Sequence, residues 1–379
     1  MRILHTSDWH LGRSFHREDL LSAQAAYVDH LVETVRAEDV GCVLVSGDVY
    51  DRALPGVDAV KLANEALERL AERTRVVLIA GNHDSARRLG FGARMMDASG
   101  VHLRTDPARV GEPVMVEDVA VYGIPYLEPE IVRPQWDLPE RGHAAALGEA
   151  MRRVRADLAT RPDGTRSVVL AHAFVTGGEP SDSERDISVG GAVHVPAAVF
   201  DGIGYAALGH LHGRQRITER VRYSGSPLAY SFSEEHHLKG SWLIDLRPDG
   251  SLGEEFVEAP VPRPVARLRG RLDDLLESPR YDDFTGHWLQ ITVTDPNRPT
   301  AAMEKLRRRF PHTLALNFEP DASGGVPRPR TFAERVHERS HLDIAADFVT
   351  EVTGTPASEA ESDLLHEAFE AFRRKEALR

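Results

Sequence analysis

Side chains that can bind metal ions recur through the first 212 residues, each time close after a short apolar run. The first run is followed by Asp8 and His10, and later runs are followed by the rest of the set: Asp48, Asp51, Asn82, His83, Asp84, His172, His210 and His212. Mixed carboxylate, imidazole and amide ligands suit Mn²⁺, Fe²⁺ or Zn²⁺ better than Ca²⁺. Two such ions about 3.5–4 Å apart can grip the attacking and leaving oxygens of a phosphoester displacement. The set therefore indicates a two-metal centre for phosphoester cleavage.

Each of these segments also has an ordinary structural explanation when it is taken alone. An Asp-x-His pair can end a strand, the segment "GNHD" can form a turn, and "GHLH" can be a pair of surface histidines. Five such segments in succession, each after an apolar run, are poorly explained by chance. A carboxylate is well suited to bridging two cations, and we expect Asp48 to do so. Three glycines should allow turns that point the following side chains at the metals: Gly47, Gly81 and Gly209.

The elements that position these residues follow from the hydrophobic pattern. Apolar runs predict strands at 2–6, 40–48, 75–84, 119–124, 167–171, 205–209 and 241–246. Amphipathic spacing predicts helices at about 19–37, 57–72 and 143–160, with a further helical stretch after residue 84. Apolar strands that alternate with helices are typical of an α/β sheet buried on both faces. The carboxyl ends of such strands meet at one edge of the sheet, which would bring the candidate ligands together.

Two linkers divide the remainder of the chain. The Pro-rich segment at 258–265 ends the first part, and "DASGGVPRPR" at 321–330 forms the second linker. Between them, a strand, a helix and a strand are predicted at 287–295, 301–310 and 313–320, which indicates a small α+β unit. Beyond them lies a polar helical tail with apolar stripes. We therefore predict three domains, at 1–260, 261–325 and 331–379.

Composition limits the class of protein further. The single cysteine, Cys42, excludes a disulfide framework and a thiolate metal site. No apolar run approaches the roughly 18 residues of a membrane span, and the first residues lack the apolar core of a signal peptide. We therefore expect a cytoplasmic protein. The net charge of -13 argues against a free-standing nucleic-acid-binding protein, although bound cations or a basic partner could offset it.

The complete set of motifs resembles that of a known family. The order D-x-H, G-D-x-x-D, G-N-H-D, H and G-H-x-H is similar to the signature of the calcineurin-like metallophosphoesterases. The segments "HTSDWHLGRSF", "VSGDVYDRALP", "GHLHGRQ" and "YSGSPLAYSFSE" resemble more specifically the SbcD family, the nuclease subunits of bacterial SbcCD complexes. This resemblance implies an α/β fold of the α+β sandwich type. It comprises a two-sheet metallophosphoesterase core flanked by helices, a small α+β capping domain and a helical C-terminal tail.

The resemblance also implies a role for each candidate residue. One metal ion would be held by Asp8, His10, Asp48 and His212. The other would be held by Asp48, Asn82, His172 and His210. His83 would act as general acid or phosphate stabiliser, with Asp84 orienting its ring and Asp51 supporting the ligands from behind. The expected cofactor is a pair of divalent ions, in the first place Mn²⁺, and the expected substrates are double-stranded DNA ends and hairpins.

The tail is the expected contact with another protein. Ser358 and Glu361 have the spacing of a capping box, and the apolar stripes of the tail include Phe348, Val352, Leu365, Phe369 and Phe372. These helices could pack on their own chain or fill a groove of a partner. In the SbcD family this region binds the SbcC-type, SMC-like ATPase. The family also implies a homodimer through helices near 57–72 and 85–99, and hence a two-plus-two complex on the nucleoid.

Other functions remain open on the sequence. A cytoplasmic metallophosphatase or a cyclic-nucleotide phosphodiesterase would use the same ligands. A non-catalytic binding subunit could retain the shape of the site, although it would have no need of His83. The unit at 261–325 could hold a DNA backbone over the metals or merely stabilise the chain. Any ATP dependence must come from a partner, because the chain contains no G-x-x-x-x-G-K-[ST] motif.

Overall fold

The apolar runs of the sequence form the central strands of two six-stranded sheets in a computed structural model of the chain. The structure describes residues 1–184, 195–321, 345, 349 and 358–376. Its strands are β1 (Arg2–Thr6), β2 (Ser14–Phe15), β3 (Glu18–Asp19), β4 (Cys42–Val45), β5 (Arg75–Ile79), β6 (Val101–Arg104), β7 (Val114–Val116), β8 (Val119–Ile124), β9 (Arg166–His172), β10 (Tyr205–Gly209), β11 (Gln215–Arg216), β12 (Val221–Tyr223), β13 (Gly240–Leu246), β14 (Leu252–Glu258), β15 (Val265–Gly270), β16 (Trp288–Val293) and β17 (Thr313–Phe318). Its α-helices are α1 (Leu21–Ala37), α2 (Val57–Ala71), α3 (Ala86–Leu89), α4 (Ala93–Met96), α5 (Pro129–Trp136), α6 (His143–Leu158), α7 (Leu272–Glu277), α8 (Ala302–Arg309) and α9 (Glu359–Glu376).

The first sheet has the strand order β14-β13-β1-β4-β5-β6, and β1, β4, β5 and β6 run parallel. Successive side chains of a strand point to opposite faces, so β4 contributes to two cores. Val43 and Val45 pack with helices α1 and α2, whereas Cys42 and Leu44 pack toward the second sheet. Burial on both faces explains why this strand is apolar throughout.

The second sheet has the order β11-β12-β10-β9-β8-β7, and β8, β9, β10 and β12 run parallel. Val121 and Val168 on one face pack toward the first sheet. Tyr122 on the opposite face belongs to the cluster that contains Met151 and Val154 of helix α6. Two packed sheets between helices form the α/β sandwich that was predicted, which confirms the fold class.

The hydrophobic pattern alone indicated one open sheet for all ligand-bearing strands, and this was wrong. Strands β1, β4 and β5 belong to the first sheet, and β9 and β10 belong to the second. A strand that is buried on both faces has the same apolar sequence whether a helix or another sheet covers it. The pattern therefore could not distinguish one sheet from two.

A small α+β unit follows at residues 265–318. Its parallel sheet has the order β15-β16-β17, and Leu275, Leu306 and Phe310 of the adjoining helices are fully buried in its core. Trp288 packs toward the first part of the chain, with its ring centroid 5.5 Å from that of Phe15. The unit is thus attached to the segment that follows the first candidate ligands.

The chain divides into two compact units, Met1–Glu319 and Pro320–Arg379. In the second unit, the Ser358 N–H donates to Glu361 Oε2 at 2.8 Å and the Glu361 N–H approaches Ser358 Oγ at 3.4 Å, which confirms the capping box. Leu365 is half-exposed on α9. Phe348, Val352 and the side chains of Phe369 and Phe372 lie outside the described residues. The division into three domains stays a prediction. Within the described ranges, every helix is too short or too polar to span a lipid bilayer.

Candidate metal centre

The loops after β1 and β4 carry the first candidate ligands and are joined through their backbones. The N–H groups of Asp8 and His10 donate to the carbonyls of Gly47 and Asp48, at 3.0 and 2.9 Å. Asp8, His10 and Asp48 all have positive φ angles, of 54°, 45° and 49°. Such backbone conformations cost energy in residues other than glycine and are concentrated at functional sites. The local strain therefore serves to bring these three side chains to the same place.

The second sheet supplies further ligands at the same end of the sandwich. His172 is the last residue of β9, and its Nδ1 donates to the Ser46 carbonyl of the first sheet at 2.9 Å. His210 follows β10 directly, and its N–H lies 3.1 and 3.2 Å from the two carboxylate oxygens of Asp8. Hydrogen bonds between the two sheets thus fix the relative positions of ligands that are far apart in the chain.

Asp48 lies at the centre of the assembled side chains. Its Oδ2 is 3.6 Å from His10 Nε2 and 3.5 Å from His172 Nε2. Ligand atoms fall within 4.8 Å of one another in three groups: Asp8, His10 and His212; His10, Asp48 and His83; and Asp8, Asp48 and His172. The carboxylate of Asp48 therefore has the position that a bridging ligand requires.

The donor set fits divalent cations. Because His172 donates its Nδ1–H to a carbonyl, the Nε2 of the neutral ring carries a lone pair. This Nε2 lies 2.8 Å from Asn82 Oδ1, which is also 3.2 Å from His210 Nδ1. His172 Nε2, Asn82 Oδ1 and Asp48 Oδ2 are all hydrogen-bond acceptors, so no proton links the imidazole nitrogen to its two oxygen neighbours. A cation stabilises such an arrangement, and nitrogen and oxygen donors of this kind suit Mn²⁺, Fe²⁺ or Zn²⁺.

The electrostatics of the cluster favour the same interpretation. Burial and the neighbouring Asp48 raise the pKa of Asp8 well above its usual value. Burial lowers the pKa of His172 to about 4, and burial together with nearby imidazoles lowers the pKa of His10 and of His210 well below the usual range. The histidines are therefore neutral at pH 7, as metal ligands must be. The crowded carboxylates are stabilised when positive charge is placed between them.

The three glycines of the loops serve two different purposes. Gly47 has a φ of 95°, so it does provide the turn expected of it. A Cβ on Gly81 would lie 2.1 Å from Asp48 Oδ1, and one on Gly209 would lie 2.0 Å from the Ser46 carbonyl oxygen. Gly81 and Gly209 are thus needed because other atoms approach them closely.

His83 lies beside the candidate ligands and is held on two sides. Its N–H donates to Asp48 Oδ1 at 2.8 Å, and its ring Nδ1 donates to the Asp51 carbonyl at 2.8 Å. The centroid of its ring is 4.7 Å from that of His10. The Asp51 carboxylate lies 3.8 Å from His10 Nδ1, beyond hydrogen-bond distance, so its supporting role stays a prediction.

The expectation that Asp84 orients the His83 ring needs correction. The Asp84 carboxylate accepts hydrogen bonds from the N–H groups of Val49, Tyr50 and Gly81, at 3.1, 3.0 and 2.9 Å. Burial and the charge of Asp48 raise the pKa of Asp84 to about 6 in spite of these hydrogen bonds. Asp84 therefore ties the β4 and β5 loops together, while a backbone carbonyl orients the imidazole.

The sequence analysis missed the groups that hold His212. Ser183 Oγ lies 2.6 Å from His212 Nδ1 and 2.5 Å from Glu234 Oε1, and Lys239 hydrogen-bonds the other oxygen of Glu234. Burial alone would raise the pKa of Glu234, but the charge of Lys239 and hydrogen bonds lower it below its usual value. Glu234 closes the quoted segment "YSGSPLAYSFSE", which was the available signal, whereas no local pattern points to Ser183.

Two family models match this chain. Residues 1–214 match the model described as calcineurin-like phosphoesterase, and this range contains every candidate ligand from Asp8 to His212. Residues 261–353 match a second model, SbcD_C, described as the type 5 capsule protein repressor C-terminal domain. The two matches in this order confirm the resemblance to the SbcD family.

Similar solved structures are distant in sequence. A Thermus thermophilus protein is 12% identical with a TM-score of 0.40, and the match covers 67% of this chain and 98% of that chain. An archaeal phosphodiesterase is 11% identical with a TM-score of 0.32, covering 68% of this chain and 100% of that chain. A dimetal phosphatase from Danio rerio is 12% identical with a TM-score of 0.36, covering 69% of this chain and 99% of that chain.

Proposed function

Since the chain belongs to the calcineurin-like phosphoesterase family, we propose that it is the two-metal nuclease subunit of an SbcCD-type complex. It acts as exonuclease and endonuclease on double-stranded DNA ends and hairpins, in DNA repair and recombination. Family membership accounts for the general chemistry, the metal-dependent hydrolysis of phosphoesters. The observation that carries the proposal is the convergence of carboxylate, imidazole and amide ligands around Asp48.

Each ion would have its own ligands and would share Asp48 with the other. Asp8, His10, Asp48 and His212 would hold the first ion. Asp48, Asn82, His172 and His210 would hold the second ion. When bound, two divalent ions, in the first place Mn²⁺, supply a strongly nucleophilic water and neutralise charge on the phosphate.

His83 transfers or shares a proton at the scissile phosphate. Its Nδ1–H is committed to the Asp51 carbonyl, so the proton that it can give is carried on Nε2 of the imidazolium. The donor faces either a phosphate oxygen or the departing sugar oxygen, and the N–H bond to Asp48 keeps it beside the metal ligands. The role of His83 is therefore that of general acid or phosphate stabiliser.

The α+β unit at 265–318 supports DNA as the substrate class. Trp288 attaches this unit to Phe15, five residues after His10, so that it lies next to the segment carrying the first ligands. Helix α8 ends in three consecutive arginines, and the side chain of Arg308 is 77% exposed. Arg308 pairs with Glu304 at 2.7 Å and Arg309 with Asp282 at 2.6 Å, and guanidinium groups that exchange such carboxylates for phosphates can bind a nucleic-acid backbone. The ATPase partner supplies the remaining positive charge that a chain of net charge -13 needs to hold DNA.

The partners follow from the tail and from an exposed apolar surface. The C-terminal region binds an SbcC-type ATPase through the apolar side of its helices, in the cytoplasm at the nucleoid. Large apolar side chains are exposed at the start of helix α2, between α3 and α4, and on α4, including Leu54, Val57, Phe91 and Met95 at 70, 71, 84 and 76%. Patches of this kind mark contact surfaces. A second copy of the chain covers this one, giving two nuclease and two ATPase subunits.

A nuclease assay tests the proposal. The purified chain, alone and coexpressed with the ATPase, is incubated with hairpin and linear duplexes labelled at the 5′ or 3′ end, with and without Mn²⁺. We expect Mn²⁺-dependent cleavage of both substrates, enhanced by the partner and ATP, and none with Asp48→Asn. Turnover of bis-p-nitrophenyl phosphate or a cyclic nucleotide without any cleavage of DNA would instead assign the chain to the alternative phosphodiesterase class. If the metal-loaded complex hydrolyses none of these substrates, the chain is instead a non-catalytic binding subunit.

A further inference from the structure

A buried charged network lies behind His212, on the side of the ring away from the other ligands. We propose that Glu234, acting through Ser183, is a positioning residue that holds the His212 ring with its Nε2 directed at the metal centre. The inference rests on the proposed two-metal site, and it names residues that determine how one ligand of that site is presented.

Glu234 is a buried charge that the packing of the fold does not explain. Its side chain belongs to the 3-10 turn Phe232–Glu234 and is 1% exposed. Its partner Lys239, which is 5% exposed, also donates to the His212 carbonyl at 2.9 Å and to Ser226 Oγ at 3.0 Å. A buried ion pair is seldom more stabilising than apolar side chains of the same volume. Glu234 Oε1 also accepts from the Tyr230 N–H at 3.2 Å, but both members of the pair reach His212, Lys239 directly and Glu234 through Ser183, and these contacts provide a better account of the pair.

The hydrogen-bond distances determine where the proton of the Ser183 hydroxyl lies. Ser183 Oγ is 2.5 Å from Glu234 Oε1 and 2.6 Å from His212 Nδ1. A hydroxyl has one proton to donate, and an ionised carboxylate can only accept, so Ser183 donates to Glu234. His212 Nδ1 is then the donor to Ser183 Oγ. In the neutral ring this leaves the lone pair on Nε2, the nitrogen that a metal would bind.

The remaining polar groups of His212 are held by the same part of the structure. Its N–H donates to Glu184 Oε1 at 2.7 Å, and its carbonyl accepts from the Ser226 N–H at 3.1 Å as well as from Lys239. Every polar atom of His212 other than Nε2 therefore has a hydrogen-bond partner on the side away from the other ligands. Nε2 itself lies 3.1 Å from His10 Nε2, so two imidazole nitrogens face each other across the proposed position of the first ion.

The proposal makes a quantitative prediction for the first ion alone. Carboxylates and hydroxyls that orient a metal-binding histidine typically contribute about 10- to 100-fold to metal affinity. Ser183→Ala removes the hydroxyl that joins Glu234 to His212. Glu234 Oε1 itself lies 3.6 Å from His212 Nδ1, beyond hydrogen-bond distance, and the Glu234–Lys239 pair stays intact, so folding is preserved. We expect it to weaken one of the two Mn²⁺ sites by about 10- to 100-fold and to leave the other unchanged. Ser183→Thr retains the hydroxyl and should restore wild-type affinity.

Isothermal titration of the metal-depleted full chain with Mn²⁺ provides the measurement, and thermal unfolding in chelator reports on the fold. Ser233→Ala is the matched control, because its hydroxyl binds Ser231 and the Asp182 N–H in the same region without contacting His212. The proposal is supported if Ser183→Ala weakens Mn²⁺ binding at one site only, its unfolding midpoint is unchanged, and Ser233→Ala binds Mn²⁺ like the wild type. Unaltered affinities, equal weakening of both sites, or an equal effect of Ser233→Ala would each overturn it.

Glu234→Gln gives a second and independent variant. It keeps the shape of the side chain and removes the charge that fixes the Ser183 proton, so it should weaken the same site as Ser183→Ala. Weakening of the opposite site by this variant would contradict the proposed relay. If the wild-type chain itself fails to bind two Mn²⁺ ions, the two-metal function fails; if it binds two and the variants bind as tightly, the positioning role alone fails.

Discussion

Asp48 is the residue on which the proposed chemistry depends most directly. Its carboxylate lies beside proposed ligands of both ions, because Oδ2 is 3.6 Å from His10 Nε2 and 3.5 Å from His172 Nε2. Two buried carboxylates, Asp8 and Asp48, lie close enough for one to raise the pKa of the other. Cations between them offset that repulsion, so the ions stabilise the arrangement that binds them.

Replacing the bridging carboxylate should therefore empty both metal positions. We expect Asp48→Ala to lower the affinity for each Mn²⁺ ion by more than about 100-fold, beyond the loss typical of groups that only support a ligand. Elemental analysis of the purified variant measures the occupancy. His10→Ala is the matched comparison, and it should lose a single ion. Two full equivalents of metal in Asp48→Ala would show that this carboxylate does not bridge.

Mutation of His83 should reduce activity without reducing metal binding, unlike mutation of the metal ligands. Removing a general acid costs roughly 10²–10⁴ in rate, whereas metal binding does not require this ring in the proposed scheme. We therefore expect His83→Ala to retain two Mn²⁺ ions and to cleave DNA about 10²- to 10⁴-fold more slowly. Single-turnover cleavage, measured beside metal analysis of the same preparation, tests both statements. Loss of an ion from this variant would place His83 among the ligands instead.

Residue types and their order were sufficient to predict the members of the candidate site, but not how they are held. Asp8, His10 and Asp48 stand out in the sequence because each follows an apolar run. Their left-handed backbone angles leave little trace, since Asp and His reach positive φ more often than most residues but do so at only a small share of their positions. The contact between Ser183 and His212 joins residues 29 positions apart in the chain, beyond the reach of any periodic pattern.

At the scale of elements, strands within longer apolar or alternating runs were predictable, whereas short strands such as β6 and β12 were not, although both are buried throughout. Predicted strands at 2–6, 119–124 and 205–209 coincide with β1, β8 and β10. β14 lies at a sheet edge and has the mixed sequence "LGEEFVE", which gives little alternation to detect. After residue 84, the single helical stretch that was expected is two short helices, α3 and α4, separated by Gly92 at a φ of 74°.

The C-terminal tail is an element whose removal should separate partner binding from chemistry. All candidate metal ligands lie before residue 213, and the helix α9 belongs to a different compact unit. We expect deletion of residues 331–379 to abolish binding of the ATPase and to leave Mn²⁺-dependent cleavage of short single strands within about twofold of the full chain. Copurification with a tagged ATPase and an activity assay measure the two properties. Undiminished complex formation by the truncated chain would refute the docking role.

At the scale of the whole molecule, the proposed dimer depends on the exposed apolar surface near α2 and α3. Phe91, Val60 and Leu67 line one groove on this surface, and Phe91 is 84% exposed. Aromatic anchors at interfaces typically contribute about 2 kcal/mol or more, and each 1.4 kcal/mol changes a dissociation constant about tenfold. We therefore expect Phe91→Glu to raise the dimer dissociation constant by more than about tenfold.

Sedimentation velocity over a range of concentrations checks this expectation. Ile131→Glu is the control, because Ile131 is 58% exposed on helix α5, outside the proposed surface. Phe91→Glu should sediment as a monomer where the wild type and Ile131→Glu are dimers. A monomeric wild type, or an undisturbed Phe91→Glu dimer, would remove this surface from the proposed assembly.

The distribution of ligands between two sheets has a consequence for biosynthesis. A nascent chain presents Asp8, His10 and Asp48 early, but His210 and His212 leave the ribosome only after most of the second sheet has been made. Domains fold progressively from the N-terminus during translation, and metal affinity depends on a preformed site. In the proposed two-metal scheme, tight binding of the ions is thus postponed until both halves have docked, so the chain can hydrolyse phosphoesters only as a finished molecule.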